Sequence, residues 1–190
     1  MKFDIVLAGV GGQGVLSLST IIASSAMREG LHVKQSEVHG MSQRGGAVVA
    51  NLRLSDTEIA SDLIPLGTAS LVLSMEPLES LRYLDYLSPD GTVITSTNPM
   101  MNIPDYPEIE GLVATIRRLP RAVVLDSEGM AKRAGSVRAS NMVIAGAASR
   151  LLPLKVATME QLIRSQFARK GEKVVELNLA AFHAGRGAVP

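Results

Sequence analysis

The sequence predicts an α/β fold, a single three-layer domain with a mostly parallel sheet and a helical C-terminal third. Three observations predict it. Short apolar runs alternate with longer stretches of helical spacing, the pattern of strands joined by crossover helices. The first run empties into a glycine cluster that opens a helix, and a second run follows, which makes a βαβ unit. Beyond Ser127 almost every segment has helical period. The 190 residues suit one domain with a full core, since domains run at roughly 100–200 residues. We assign 1–185 to that domain and 186–190 to a loose C-terminal tail.

Each element has a local reason. Phe3–Ala8 is short, apolar and stopped by glycine, as a buried strand is. Small and apolar residues recur helically from Val15 to Arg28, and Glu29-Gly30 ends that helix. Leu31–Gln35 follows as a strand. Ala47–Ser55 alternates, with Ala50, Leu52 and Leu54 on one face and Asn51, Arg53 and Ser55 on the other, so it reads as a half-exposed strand at an edge or against a partner. Leu71–Ser74 is continuously apolar and central. Pro77 suits the first turn of a helix reaching about Leu87. Ser88-Pro89-Asp90-Gly91 is a turn before the strand Thr92–Thr95. Three prolines make 98–107 an irregular connection. A helix over Glu108–Arg118 and a strand over Ala122–Asp126 follow, then helices over Ser127–Ala134, Ala139–Leu152, Thr158–Lys170 and Val174–His183.

Composition excludes several functions. With 46% hydrophobic residues, 19% charged and a net charge of +1, the chain is globular and has no general attraction to nucleic acid or anionic lipid. No uninterrupted apolar segment reaches the ~18 residues a membrane span needs. The N-terminus lacks the pattern of a signal peptide, so the expectation is a cytoplasmic protein. Zero cysteines exclude disulfides, a thiolate nucleophile and Cys-held iron–sulfur clusters in this chain. The three histidines, His32, His39 and His183, are too scattered for a metal motif.

Gly9-Val10-Gly11-Gly12-Gln13-Gly14 matches G-x-G-x-x-G between a strand and a helix. There the first glycine allows a tight bend, the second lets backbone approach a phosphate, and the third lets the helix pack on the strand. This makes the fold Rossmann-like. A dinucleotide site also wants an acid at the end of the second strand. Glu37 is the only acid near that point and lies in an apparent loop, so the fingerprint is incomplete. Three uses stay open: a tight turn only, phosphate or nucleotide contact, or a turn facing a partner.

Ser36-Glu37-Val38-His39-Gly40-Met41-Ser42-Gln43-Arg44-Gly45-Gly46 packs an acid, an imidazole, an amide and a guanidinium into one glycine-bearing segment. Arg44 offers a planar fork for carboxylate or phosphate, and the His39 imidazole can donate or accept a hydrogen bond. Loops at strand carboxyl ends line the ligand crevice in such folds.

The glycine turn at 9–14 together with the 36–46 segment resembles the gamma-type module of the 2-oxoacid:ferredoxin oxidoreductases, in particular its indolepyruvate branch. The Ser74–Glu79 stretch and the Ser140–Ala147 helix are similar to it as well, so the likeness covers about 1–185. The resemblance implies a subunit of a heteromeric complex. A larger alpha subunit would carry thiamine diphosphate and iron–sulfur clusters, and this chain no cofactor. The complex would convert an arylpyruvate and coenzyme A to an acyl-CoA and carbon dioxide, reducing ferredoxin. It also implies that Gly9, Gly11, Gly12, Gln13 and Gly14, with Ser36, Glu37, His39, Gly40, Gln43, Arg44, Gly45 and Gly46, form a cofactor-binding or interface site. None of them is assigned a proton transfer, and no metal is expected.

Other residues have plainer readings beside functional ones. Glu76 can reach the crevice or stabilise the start of a helix. Asp126 is read as a helix cap, and Asn141 as a cap or a core polar group. Lys132, Arg133 and Arg138 form a solvated basic face or meet a phosphate. Met41 and the Met100-Met101 pair suit core or an adaptable interface. Two further functional classes remain at this level: a stand-alone nucleotide-dependent oxidoreductase using Glu37, and a non-catalytic scaffold.

Overall fold

Strand β1 (Lys2–Val10) carries an almost wholly buried run from Asp4 to Val10 and forms the spine of a six-stranded sheet. The computed structural model describes residues 1–40 and 45–189, except for the side chain of His39. After β1 come α1 (Val15–Arg28), β2 (His32–His39), β3 (Ala47–Ser55), β4 (Ala69–Ser74) and α2 (Pro77–Arg82). Then follow β5 (Leu87–Ser96), α3 (Ile109–Arg117), β6 (Ala122–Leu125) and four helices. These are α4 (Ser127–Arg133), α5 (Ser140–Ala148), α6 (Val156–Phe167) and α7 (Glu172–Gly187).

The strand order is β2-β3-β1-β4-β5-β6. β1, β4, β5 and β6 pair in parallel, whereas β3 is antiparallel to both β1 and β2. The sheet is therefore mixed, with every strand except β3 running the same way. Its three layers follow. Leu18, Ile21 and Ile22 of α1 share one core with α4, α5, α6 and α7, while Val6, Val72, Val93 and Ile116 of α3 form another on the opposite face. Helix α5 is buried from Asn141 to Ala148 because it lies between the sheet and α7.

Several expectations are corrected. β3 stands inside the sheet, not at its edge, and β2 is the edge strand. The cause is topological: α1 carries the chain across one strand position, and the short connection out of β2 permits only an antiparallel return into that gap. The alternation of β3 then reflects two unlike covered faces. Ala50, Leu52 and Leu54 enter the α1 core, while Arg53 on the other face is buried too. β2 continues through Ser36, Glu37 and His39, pairing with Asn51, Ala50 and Val48, so those residues are strand where a loop was expected.

The Ser88–Gly91 turn is absorbed into β5 as an irregularity, with Ala69 opposite Leu87 but Leu71 opposite Thr92. α2 ends at Arg82 and gives way to a single 3-10 turn, Leu84–Tyr86. The expected loose tail is also corrected. Helix α7 runs through Gly187, and Val189 is buried in the core, since its apolar side chain gains more from burial than the tail loses in order.

Candidate functional site

The parallel strands deliver the glycine turn, Met75-Glu76, Asn98 and Asp126 to one edge of the sheet, where crevices form in folds of this kind. The glycines of the turn divide their work differently from the expectation. Gly9 is still in β1, and a Cβ there would stand 2.8 Å from Val15 Cγ2 and 3.1 Å from Met75 Cβ, so it serves close packing. Gly12 (φ 103°) and Gly14 (φ 83°) make the bend, in the left-handed region that glycine favours. A Cβ on Gly14 would also lie 2.6 Å from Asn141 Nδ2. Thus the turn's close approach is to α5, and Asn141 Nδ2 donates weakly to Gly14 O (3.5 Å). Asn141 is therefore a core polar group and no cap.

Gln13 is a staple across the turn. Its Oε1 accepts from Val10 N (2.8 Å), and its Nε2 donates to Met75 O (3.5 Å). The turn also holds the end of the 36–46 segment: Gly11 N donates to Gly46 O (2.8 Å) and Gly45 N to Gly11 O (3.3 Å). Gly45 has φ 79°. The first turn of α1 contains no acid and no side-chain cap, so its amides present partial positive charge outward.

The structure separates residues that sequence spacing placed together. Glu37 is exposed on the edge strand, with β3 between it and β1. At ~4.8 Å per strand spacing, that is about 10 Å from the line of the glycine turn. Its use as a ribose-binding acid beside the turn is thereby corrected, because the reading assumed β2 adjacent to β1. Ser36 Oγ accepts from Asn51 Nδ2 (3.5 Å) within the hairpin. Gly40 is exposed. Met41, Gln43 and Arg44 lie outside the described residues, as does the side chain of His39.

Asn98 and Tyr106, which sequence reasoning missed, join Glu76 and Asp126 at the edge. Asn98 is a hub: its Oδ1 accepts from Ser96 Oγ (2.7 Å), Ser127 Oγ (3.2 Å) and Glu128 N (2.9 Å), and its Nδ2 donates to Asp126 Oδ1 (3.1 Å). Asp126 caps α4 through Gly129 N (2.9 Å), as expected. That bond, joined by the one from Asn98, holds its carboxyl below the usual range. Glu76 caps α2 by accepting from Glu79 N (2.8 Å), and its other oxygen accepts from Met100 N (3.3 Å) and from the Tyr106 hydroxyl. Burial, then the bond to Glu76, pushes the Tyr106 phenol well above its ordinary value. The only advance signal was asparagine and tyrosine among prolines, which an irregular connection hides.

Two adjoining open clefts occupy this edge. One, of about 490 Å3, is lined by residues including Gly12, Gln13, Met75, Asn98, Met100 and Arg138. The other, of about 520 Å3, includes Asn98, Glu128, Lys132 and Gly135. Among the described residues no cluster of three His, Asp or Glu side chains could hold a metal, and no helix is long and apolar enough to cross a membrane.

Glu79 sits beside Glu76, 3% exposed, and only its Oε1 is paired, to Arg82 Nε at 3.2 Å. Burial raises its carboxyl above the ordinary 4.5 despite Arg82. Folding therefore favours the protonated form, and Glu79's contribution to stability declines as pH rises from the unfolded value through the raised folded one. Glu79→Gln is expected to raise the thermal midpoint at pH 7 and to change it little at pH 4. Thermal melts at the two pH values check this, and a lower midpoint at pH 7 contradicts it.

A family model described as pyruvate ferredoxin/flavodoxin oxidoreductase matches residues 4–188. The chain belongs to this family. The indolepyruvate oxidoreductase subunit IorB of Archaeoglobus fulgidus is 37% identical, over 97% of this chain and 94% of that protein. The IorB of Methanothermobacter thermautotrophicus is 36% identical, over 99% and 98%. Among solved structures, the gamma subunit of the keto/oxoacid ferredoxin oxidoreductase of Geobacter sulfurreducens superposes with a TM-score of 0.72 at 24% identity, covering 98% of this chain and 97% of that one. The 2-oxoglutarate:ferredoxin oxidoreductase of Magnetococcus marinus gives a TM-score of 0.78 at 24% identity, covering 98% of this chain and 31% of its own. This chain thus spans about a third of that one. The two structures show the shared fold.

Proposed function

We propose that this chain is the small, cluster-free subunit of an indolepyruvate-type 2-oxoacid:ferredoxin oxidoreductase. The observation that carries the reading is end-to-end likeness, at 33–37% identity, to four indolepyruvate oxidoreductase subunits. The chain is a subunit of an oxidoreductase complex. A larger partner would hold thiamine diphosphate, which supplies the acyl carbanion equivalent, and iron–sulfur clusters that pass electrons singly to ferredoxin. The zero-cysteine composition supports that division, since this chain has no thiolate to ligate a cluster. Coenzyme A would be the acyl acceptor of the complex, and the cytoplasm its compartment.

In this reading the carboxyl edge of the sheet faces the partner's active site. The glycine turn, Glu37, His39, Gln43 and Arg44 contribute to the substrate or subunit boundary, with Lys132 and Arg138 as cations beside the clefts. The stand-alone nucleotide-dependent alternative is weakened because β3 separates Glu37 from the turn.

Anaerobic affinity purification from the native cells tests the reading. Co-elution of a larger, coloured, cysteine-bearing chain with dye reduction dependent on indolepyruvate and coenzyme A is expected. Elution alone with bound nicotinamide or flavin nucleotide would move the answer to the stand-alone enzyme. Within the complex, Arg44→Ala is expected to lower kcat/KM about tenfold or more, the scale of a lost charge-assisted hydrogen bond, while the isolated chain keeps its melting temperature. Unchanged turnover would remove Arg44 from the site.

A further inference from the structure

A continuous path of hydrogen bonds crosses the carboxyl edge from a buried carboxylate to the glycine turn. Glu76, 1% exposed, accepts from Met100 N at 3.3 Å and from the Tyr106 hydroxyl, which pins 98–107 toward both its ends. Met100 O accepts from Asn102 N (2.7 Å), and Asn102 Nδ2 donates to Gly45 O (2.7 Å). Gly45 N and Gly46 O then bond Gly11. Capping α2 needs only one oxygen of Glu76, so the second is committed to 98–107. That segment forms part of a cleft wall at Asn98 and Met100.

We propose that Glu76 is a positioning residue: through Met100 and Tyr106 it fixes the 98–107 segment, and through Asn102 that segment holds Gly45 and Gly46 against the glycine turn. Glu76 thereby sets the shape of the edge without touching substrate. Its bearing on catalysis rests on the subunit reading above, whereas the clamp itself does not.

Two measurements separate the parts. In the isolated full chain, amide exchange is followed by NMR at Gly11 and Gly45 and in α2 at Leu81 and Arg82. Tyr106→Phe and Asn102→Ala are each expected to speed exchange at Gly11 and Gly45 about fivefold, the net worth of one hydrogen bond, and to leave α2 unchanged. Glu76→Ala is expected to speed both regions. The Tyr106→Phe/Asn102→Ala double variant is expected to show no more than the larger single effect, because both act through one segment. Unchanged exchange at Gly11 and Gly45 in Tyr106→Phe would reduce Glu76 to a helix cap and overturn the proposal.

In the purified complex, Tyr106→Phe is expected to raise the KM for coenzyme A or the 2-oxoacid about fivefold with kcat nearly constant. Unaltered KM values in an assembled, active complex would overturn the positioning role. A wild-type chain that assembles with no partner and supports no 2-oxoacid turnover would instead remove the subunit reading, and the exchange data would still decide the clamp.

Discussion

Gly146→Ala should be among the most damaging single methyl additions in this protein. A Cβ at Gly146 would stand 1.9 Å from Phe182 O and 2.8 Å from Arg186 N, and one at Gly185 would stand 1.9 Å from Val143 O. The atoms met are the backbone of the facing helix, which cannot rotate away, so α5 and α7 must separate. That opens a layer holding Met142, Val143 and Phe182, all fully buried. Alanine's helix propensity returns about 1 kcal/mol, but overpacking on this scale costs about 3 kcal/mol or more. The net loss is then about 2 kcal/mol or more, and at roughly 2–4 °C per kcal/mol for a chain of this size the midpoint should fall by at least about 4–8 °C. Gly111→Ala is the control. It lies in α3 with open space around its Cβ position, and it should gain about 0.5–1 kcal/mol. Thermal melts of both variants decide the matter, and a Gly146→Ala midpoint at or above wild type would rule out the close crossing.

Arg53→Ala should destabilise the fold comparably, by about 3–5 kcal/mol, the cost of breaking a buried ion pair on one side. Asp4 is 1% exposed and receives Arg53 Nε (3.0 Å) and Nη2 (3.1 Å). Arg53 Nη1 also donates to Ser61 O (3.0 Å) and Leu63 O (2.8 Å), tying the segment after β3 over the sheet. The truncation leaves Asp4 with only the half-exposed Lys2, at 3.1 Å, and frees two carbonyls. Against a total stability of about 5–15 kcal/mol, that is a large share. Asp4→Leu combined with Arg53→Met should recover most of the loss, since an apolar pair needs no partner. Urea denaturation measures both. A loss under about 1 kcal/mol for Arg53→Ala would place the pair with weak surface pairs.

These two sites differ in legibility. Gly146 sits in a visibly small and apolar helix, yet no pattern in the sequence says which helix crosses it. Arg53 was legible only as the polar face of an alternating strand. Its burial required knowing that β3 is flanked by two strands and covered by its own following segment.

Local chemistry alone determined the element order, the boundaries of α1 and β3, the cap at Asp126, and the absence of thiolate chemistry. Each depends on residues a few positions apart, through apolar period, turn conformation or composition. The glycine turn and the 36–46 segment were likewise visible as motifs and carried the resemblance to the family. The tertiary structure alone decided that β3 enters between β1 and β2, which removes Glu37 from the turn and makes β2 the edge. It also decided that 98–107 reaches across to Gly45. Both outcomes depend on contacts between residues far apart in the chain, set by the crossover of α1 and by one buried carboxylate with two oxygens to satisfy. Spacing along a sequence does not encode which distant groups will meet them.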